Sequence, residues 1–96
     1  MKMFIDTHDV ANGTFPEGLT KEQFASFYPG YLEACRAEGV ISMKVHVGLA
    51  EGRAFCVTLA PDEDAVRRAH EKAGLPFGSI TEVSDVSQFD IFAMAA

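Results

Sequence analysis

The chain predicts an α+β fold with an antiparallel sheet, and three observations carry that prediction. Residues 3–8 and 40–49 alternate apolar and polar side chains with the period-two rhythm of half-buried strands. Two other stretches repeat apolar or small residues at helical spacing, each between recognisable start and stop signals. The elements then run strand, helix, strand, strand, helix, strand, which is the split βαβ or ferredoxin-like arrangement, βαββαβ. Right-handed crossovers in that order place strands one and three side by side at the centre, with both helices on one face.

Strand one, over residues 3–8, puts Phe4, Asp6 and His8 on one face and Met3, Ile5 and Thr7 on the other. A loop over 9–18 is marked by Asn12-Gly13 and Pro16. Helix one starts at Thr20, with Gln23 three residues on to complete a capping box and Leu19 and Phe24 in the staple positions. Its apolar stripe is Phe24, Phe27, Tyr28, Tyr31, Leu32 and Cys35. Pro29-Gly30 interrupts that stripe and predicts a kink or break, because proline lacks an amide donor and crowds the preceding turn. Gly39 ends the helix. Strand two, 40–49, sets Ile41, Met43, Val45, Val47 and Leu49 against Ser42, Lys44 and His46. A hairpin loop at 50–52 leads into strand three, 53–60, whose more continuous apolar character suits an interior strand. Helix two, 62–73, opens on Asp62, Glu63 and Asp64 and carries Lys72 near its end, in line with the helix dipole. Gly74-Leu75-Pro76 stops it, and 79–83 is strand four. The extension 84–96 holds Phe89, Ile91, Phe92 and Met94; it is too apolar for solvent and is expected to add a fifth strand or to pack on a partner subunit.

Ninety-six residues make one domain, 1–96, with its core in 3–83. The net charge of −6, from 14 acids against 8 bases without a basic stripe, argues against nucleic-acid binding. No apolar run is long enough to span a membrane, and the N-terminus reads as a strand rather than a signal peptide, so a cytoplasmic protein with reduced Cys35 and Cys56 is expected. Two helices cover one sheet face only. The bare face predicts a homodimer, a dimeric α+β barrel-like assembly.

Three histidines and two cysteines are the donors available for a transition metal. His8 ends strand one beside Asp6, and Cys56 lies on the neighbouring strand three. Cys56 has two possible faces. On one, Asp6, His8, His46 and Cys56 form a polar cluster on the bare face; on the other, Cys56 faces the helices and approaches His70. Alternation fixes faces within a strand but not the register between strands. His8 is the best single candidate, since the commonest fate of a buried cysteine or of a histidine beside an apolar stripe is plain packing. No metal-binding spacing motif, phosphate loop or nucleophile elbow is present, and the balance is against an enzyme. The stripe with Tyr28 and Tyr31, beside Pro29-Gly30, reads first as core. It can also line a small-molecule pocket together with Asp6 and His46, the alternative reading being a ligand-binding or monooxygenase- or isomerase-like barrel. A structural or interaction module is the third reading.

Over residues 3–83 the chain resembles the DUF4242 family of small bacterial proteins. The carriers are Phe4-Ile5-Asp6-Thr7-His8-Asp9, Gly18-Leu19-Thr20, Gly39-Val40, Phe55-Cys56, Ala60-Pro61-Asp62, Ala65-Val66-Arg67-Arg68-Ala69-His70, Gly74-Leu75-Pro76 and Ile80-Thr81-Glu82-Val83. The resemblance implies a dimer-forming ferredoxin-like fold and the binding of nickel or another divalent transition metal. His8, Cys56 and His70 match family positions and are the metal ligands it implies. The histidine that the family often carries in helix one is replaced here by Tyr28.

Overall fold

The structure is a computed structural model that describes residues 1–86 and Gln88. Strands β1 (Lys2–Asp9), β2 (Ile41–Gly48), β3 (Arg53–Ala60) and β4 (Ser79–Val83) and helices α1 (Lys21–Ala37) and α2 (Glu63–Ala73) follow the expected order. Every strand pair is antiparallel, and the sheet order is β2-β3-β1-β4, with β1 and β3 central. This α+β architecture is consistent with the ferredoxin-like arrangement. The expected fifth strand lies outside the described residues.

Local signals explain where the helices begin and end. Thr20 accepts from the Gln23 amide while the Gln23 side chain accepts from the Thr20 amide, so two orphan donors of α1 are satisfied reciprocally. Asp62 caps α2 by accepting from the Ala65 amide at 2.9 Å. Gly74, at φ +69°, ends it in a Schellman turn, with the Leu75 amide donating to the His70 carbonyl at 2.9 Å. That turn leads the chain into Leu75 and Pro76, whose carbonyl meets His8.

Two expectations change. Of the kink or break expected at Pro29, the break does not occur: α1 is continuous from Lys21 to Ala37. Pro29 and Ala25, whose carbonyl loses its amide partner, lie on the exposed side of the helix, where water can satisfy the carbonyl. Strand β2 also does not keep one apolar face. A bulge between Ser42 and Lys44 shifts the register, so Ile41 pairs with Leu59 while Val45 pairs with Cys56. Neighbouring Leu59 and Cys56 point to opposite faces, and Ile41 therefore leaves the face that holds Val45.

The core sits between the helices and one sheet face. Phe4 from β1 and Cys56 and Ala60 from β3 meet Tyr31 and Cys35 of α1 and Ala65, Val66 and Ala69 of α2. The small side chains of Ala65 and Ala69 let α2 approach the sheet closely, which brings His70 to full burial. The other sheet face carries Met3, Ile5, Val57 and Leu59, half-buried, and Ile41 and Phe55, exposed. Cys35 and Cys56 are both buried and unbridged. Among the described residues no helix is long and apolar enough to cross a membrane.

Candidate metal centre

Strand parity and register build the site. Asp6 and His8 are two residues apart on β1 and share the helix-facing side. Cys56 lies directly opposite Asp6 on β3 and has the same parity, so it joins them. His70, one turn beyond Val66 on the buried side of α2, closes the group from above. One donor atom from each of Asp6, His8, Cys56 and His70 lies within 4.8 Å of every other. Asp6 and His70 have no exposed surface, and His8 and Cys56 retain 8% and 6%.

Asp6 Oδ2 is 2.7 Å from His8 Nε2 and 2.8 Å from His70 Nε2. Cys56 Sγ is 3.6 Å from His8 Nε2. Each imidazole is held from behind by a carbonyl: His8 Nδ1 donates to Pro76 at 2.7 Å, and His70 Nδ1 donates to Val66 at 2.8 Å. A carbonyl only accepts, so both Nδ1 atoms carry hydrogens. In the neutral ring, Nε2 then presents its lone pair to the centre of the cluster. A lone pair aimed at a carboxylate is repulsive unless a proton or a cation lies between them. Two observations leave room for a cation. Asp6 Oδ1 has no hydrogen-bond partner among the described residues, and the short His70–Asp6 contact lacks hydrogen-bond alignment and is electrostatic rather than a formed bond.

The electrostatics agree. Burial opposes charge on Asp6, yet the close approach of the His70 and His8 rings outweighs it and holds the carboxyl below the usual range. Burial likewise opposes a charged His70, but Asp6 and the Val66 carbonyl raise it above an ordinary histidine. Burial first, then the Asp6 charge, pushes the Cys56 thiol up. The surroundings thus favour the charged forms of Asp6 and His70 and oppose a thiolate at Cys56. Carboxylate oxygen, imidazole nitrogen and sulfur are together a donor set for a borderline divalent ion, and carbonyl-backed imidazoles are the usual second shell of such a site. A four-coordinate ion with bonds of about 2.0–2.3 Å needs donors roughly 3.3–3.7 Å apart, so the Asp6–histidine contacts have only to open slightly.

Of the residues singled out from the sequence, His8, Cys56 and His70 come together, with Asp6 as a fourth donor. His46 does not. It pairs with Phe55 and is exposed on the opposite side of the sheet, because Asp6, His8 and Cys56 face α1 and α2. Tyr28 and Tyr31 line an open cleft of about 290 Å³ beside the cluster, which Asp6 and His46 do not line. The cleft's further walls at Phe15, Pro16, Leu75 and Pro76 escaped the sequence reading. Their only signal was punctuation in two loops that the fold brings together.

A family model described as "Nickel responsive protein SCO4226-like" matches residues 4–83, most of the chain. The crystal structure of SCO4226 from Streptomyces coelicolor A3(2) superposes with a TM-score of 0.75 at 28% sequence identity, covering 88% of this chain and 99% of that one. No curated protein matches.

Proposed function

The chain belongs to the SCO4226-like nickel-responsive family, and on that premise we propose that it binds a divalent transition metal, nickel first, through Asp6, His8, Cys56 and His70. The observation that supports this most is the convergence of four buried donors whose imidazole lone pairs face one another and a carboxylate. A hydrophobic core gains nothing from that arrangement, since buried charge is costly unless paired or bound to a cation. Bound there, a cation would supply the positive charge that the buried Asp6 carboxylate calls for.

Calorimetric titration of the metal-free protein with nickel, zinc, copper and cobalt tests this reading. Saturation near one ion per chain is expected, and both His8→Ala and His70→Ala should weaken it severely. Nickel at about 100 times its Kd should stabilise the fold by about 2.7 kcal/mol, raising Tm by roughly 10–20 °C. Unchanged binding in both variants would remove these histidines from the ligand set.

We also propose that two chains associate through the open sheet face. Its support is the apolar surface of Met3, Ile5, Ile41, Phe55, Val57 and Leu59, on the side of the sheet opposite α1 and α2. Sedimentation at micromolar concentration should give the mass of two chains, and Phe55→Glu should give one; a single-chain mass for the unaltered protein refutes the proposal.

A further inference from the structure

Two of the four donors also form the inner end of the cleft. His8 and Cys56 line it, whereas Asp6 and His70 lie behind them with no exposed surface. A cation held by all four would have its four positions filled by protein, so a ligand arriving from the cleft would have to add as a fifth donor on the side of His8 and Cys56. The walls of the cleft are apolar and largely aromatic: Phe15, Phe24, Phe27, Tyr28 and Tyr31, with Leu75 closing one side. Its volume of about 290 Å³ suits a ligand with a body the size of one aromatic ring rather than a cofactor or a peptide.

The two tyrosines of the cleft differ in a way that defines the ligand's polar end. The Tyr28 hydroxyl is paired with Ser42 Oγ at 3.2 Å. The Tyr31 hydroxyl is buried beside the Cys35 and Cys56 thiols, which are weak acceptors, and has no oxygen or nitrogen partner among the described residues. A buried phenol with only thiols to accept from it is poorly satisfied, and an oxygen acceptor reaching it from the cleft would improve on them. A carboxylate has two oxygens for two needs, one to meet the cation and one to accept from Tyr31.

We propose that the cleft binds a small aromatic or similarly compact apolar carboxylate, its head group shared between the metal at His8 and Cys56 and the hydroxyl of Tyr31, its body packed among Phe24, Phe27 and Tyr28. The proposal rests on the metal-binding reading above. It makes the protein a sensor or carrier of a metal–carboxylate pair rather than of the ion alone.

Phenylacetate is the probe. The protein is first titrated with zinc, which is diamagnetic, and then with phenylacetate, followed by amide NMR spectra. Saturable shifts are expected at cleft residues such as Val45 and Leu75, and metal-free protein should bind the probe more weakly. Tyr31→Phe, which keeps the ring and removes only the hydroxyl, should weaken phenylacetate about tenfold or more while leaving the zinc titration unchanged. Leu75→Trp, which fills the cleft from a half-buried loop position, should abolish probe binding with zinc binding intact. Zinc binding without any response to millimolar phenylacetate overturns the cleft assignment alone. Probe binding that is indifferent to zinc and to Tyr31→Phe overturns the shared head group. Absence of zinc and nickel binding overturns the metal reading and the metal-bound carboxylate together.

Discussion

Replacing Asp6 by Asn and by Ala should give two very different proteins, and the contrast tests the electrostatic account of the site. Asp6 Oδ2 faces His8 Nε2 at 2.7 Å and His70 Nε2 at 2.8 Å, and both rings are pinned with Nδ1–H against carbonyls. An Asn amide with its nitrogen in the Oδ2 position has two hydrogens for two neutral Nε2 lone pairs. Asp6→Asn should therefore fold with a loss of about 1 kcal/mol, the scale of one exchanged hydrogen bond. Asp6→Ala leaves His70 buried without its counter-charge and should lose about 3–5 kcal/mol. Urea unfolding of the metal-free proteins near neutral pH measures both. The pH dependence separates them further. In the unaltered protein the raised His70 contributes stability that is full below its ordinary pKa, 6.5, and fades as pH rises through its raised value. The lowered Asp6 contributes stability that is present above 3.8 and fades as pH falls through its lowered value. Both slopes should flatten in Asp6→Asn. Nickel affinity should nevertheless collapse: loss of an outer partner of a metal ligand costs about 10–100-fold, and loss of a charged donor costs about 100-fold or more. An Asp6→Asn protein as unstable as Asp6→Ala, or one that keeps nickel affinity, would refute the reasoning.

Two further outcomes follow from the same geometry. The buried Cys56 thiol must lose its proton to ligate as thiolate, so nickel affinity should rise with pH by about tenfold per unit for that proton; Cys56→Ala should lower the slope by one proton in calorimetry from about pH 6 to 8, and an unchanged slope would remove Cys56 from the site. Gly52→Ala should destabilise the β2–β3 hairpin by about 1–2 kcal/mol or more by thermal unfolding, because Gly52 sits at φ +69° and an added Cβ would lie 2.7 Å from Val10 Cγ2; a wild-type Tm would contradict that.

The elements were legible in the chain because their signals are local. Thr20 and Gln23, Asp62, and Gly74 mark helix ends through bonds made within a few residues. Period-two alternation likewise put Asp6 and His8 on one face before any packing was known. Whether Pro29 would break α1 was not legible, because a proline's effect depends on whether the freed carbonyl is buried, and that is decided by the rest of the molecule.

By itself the amino-acid sequence determined the order of strands and helices, the central pairing of β1 with β3, the shared face of Asp6 and His8, and a donor inventory suited to a transition metal. Only the tertiary structure decided which face the helices cover, and so that Asp6 and His8 turn inward while His46 turns out. It also placed Cys56 opposite Asp6, swung Ile41 away through the bulge at Ser42 and Lys44, and lowered His70 onto the carboxylate. The physical reason is that alternation specifies parity within one strand, whereas register, bulges and the side a helix packs against are set by contacts between residues distant in sequence.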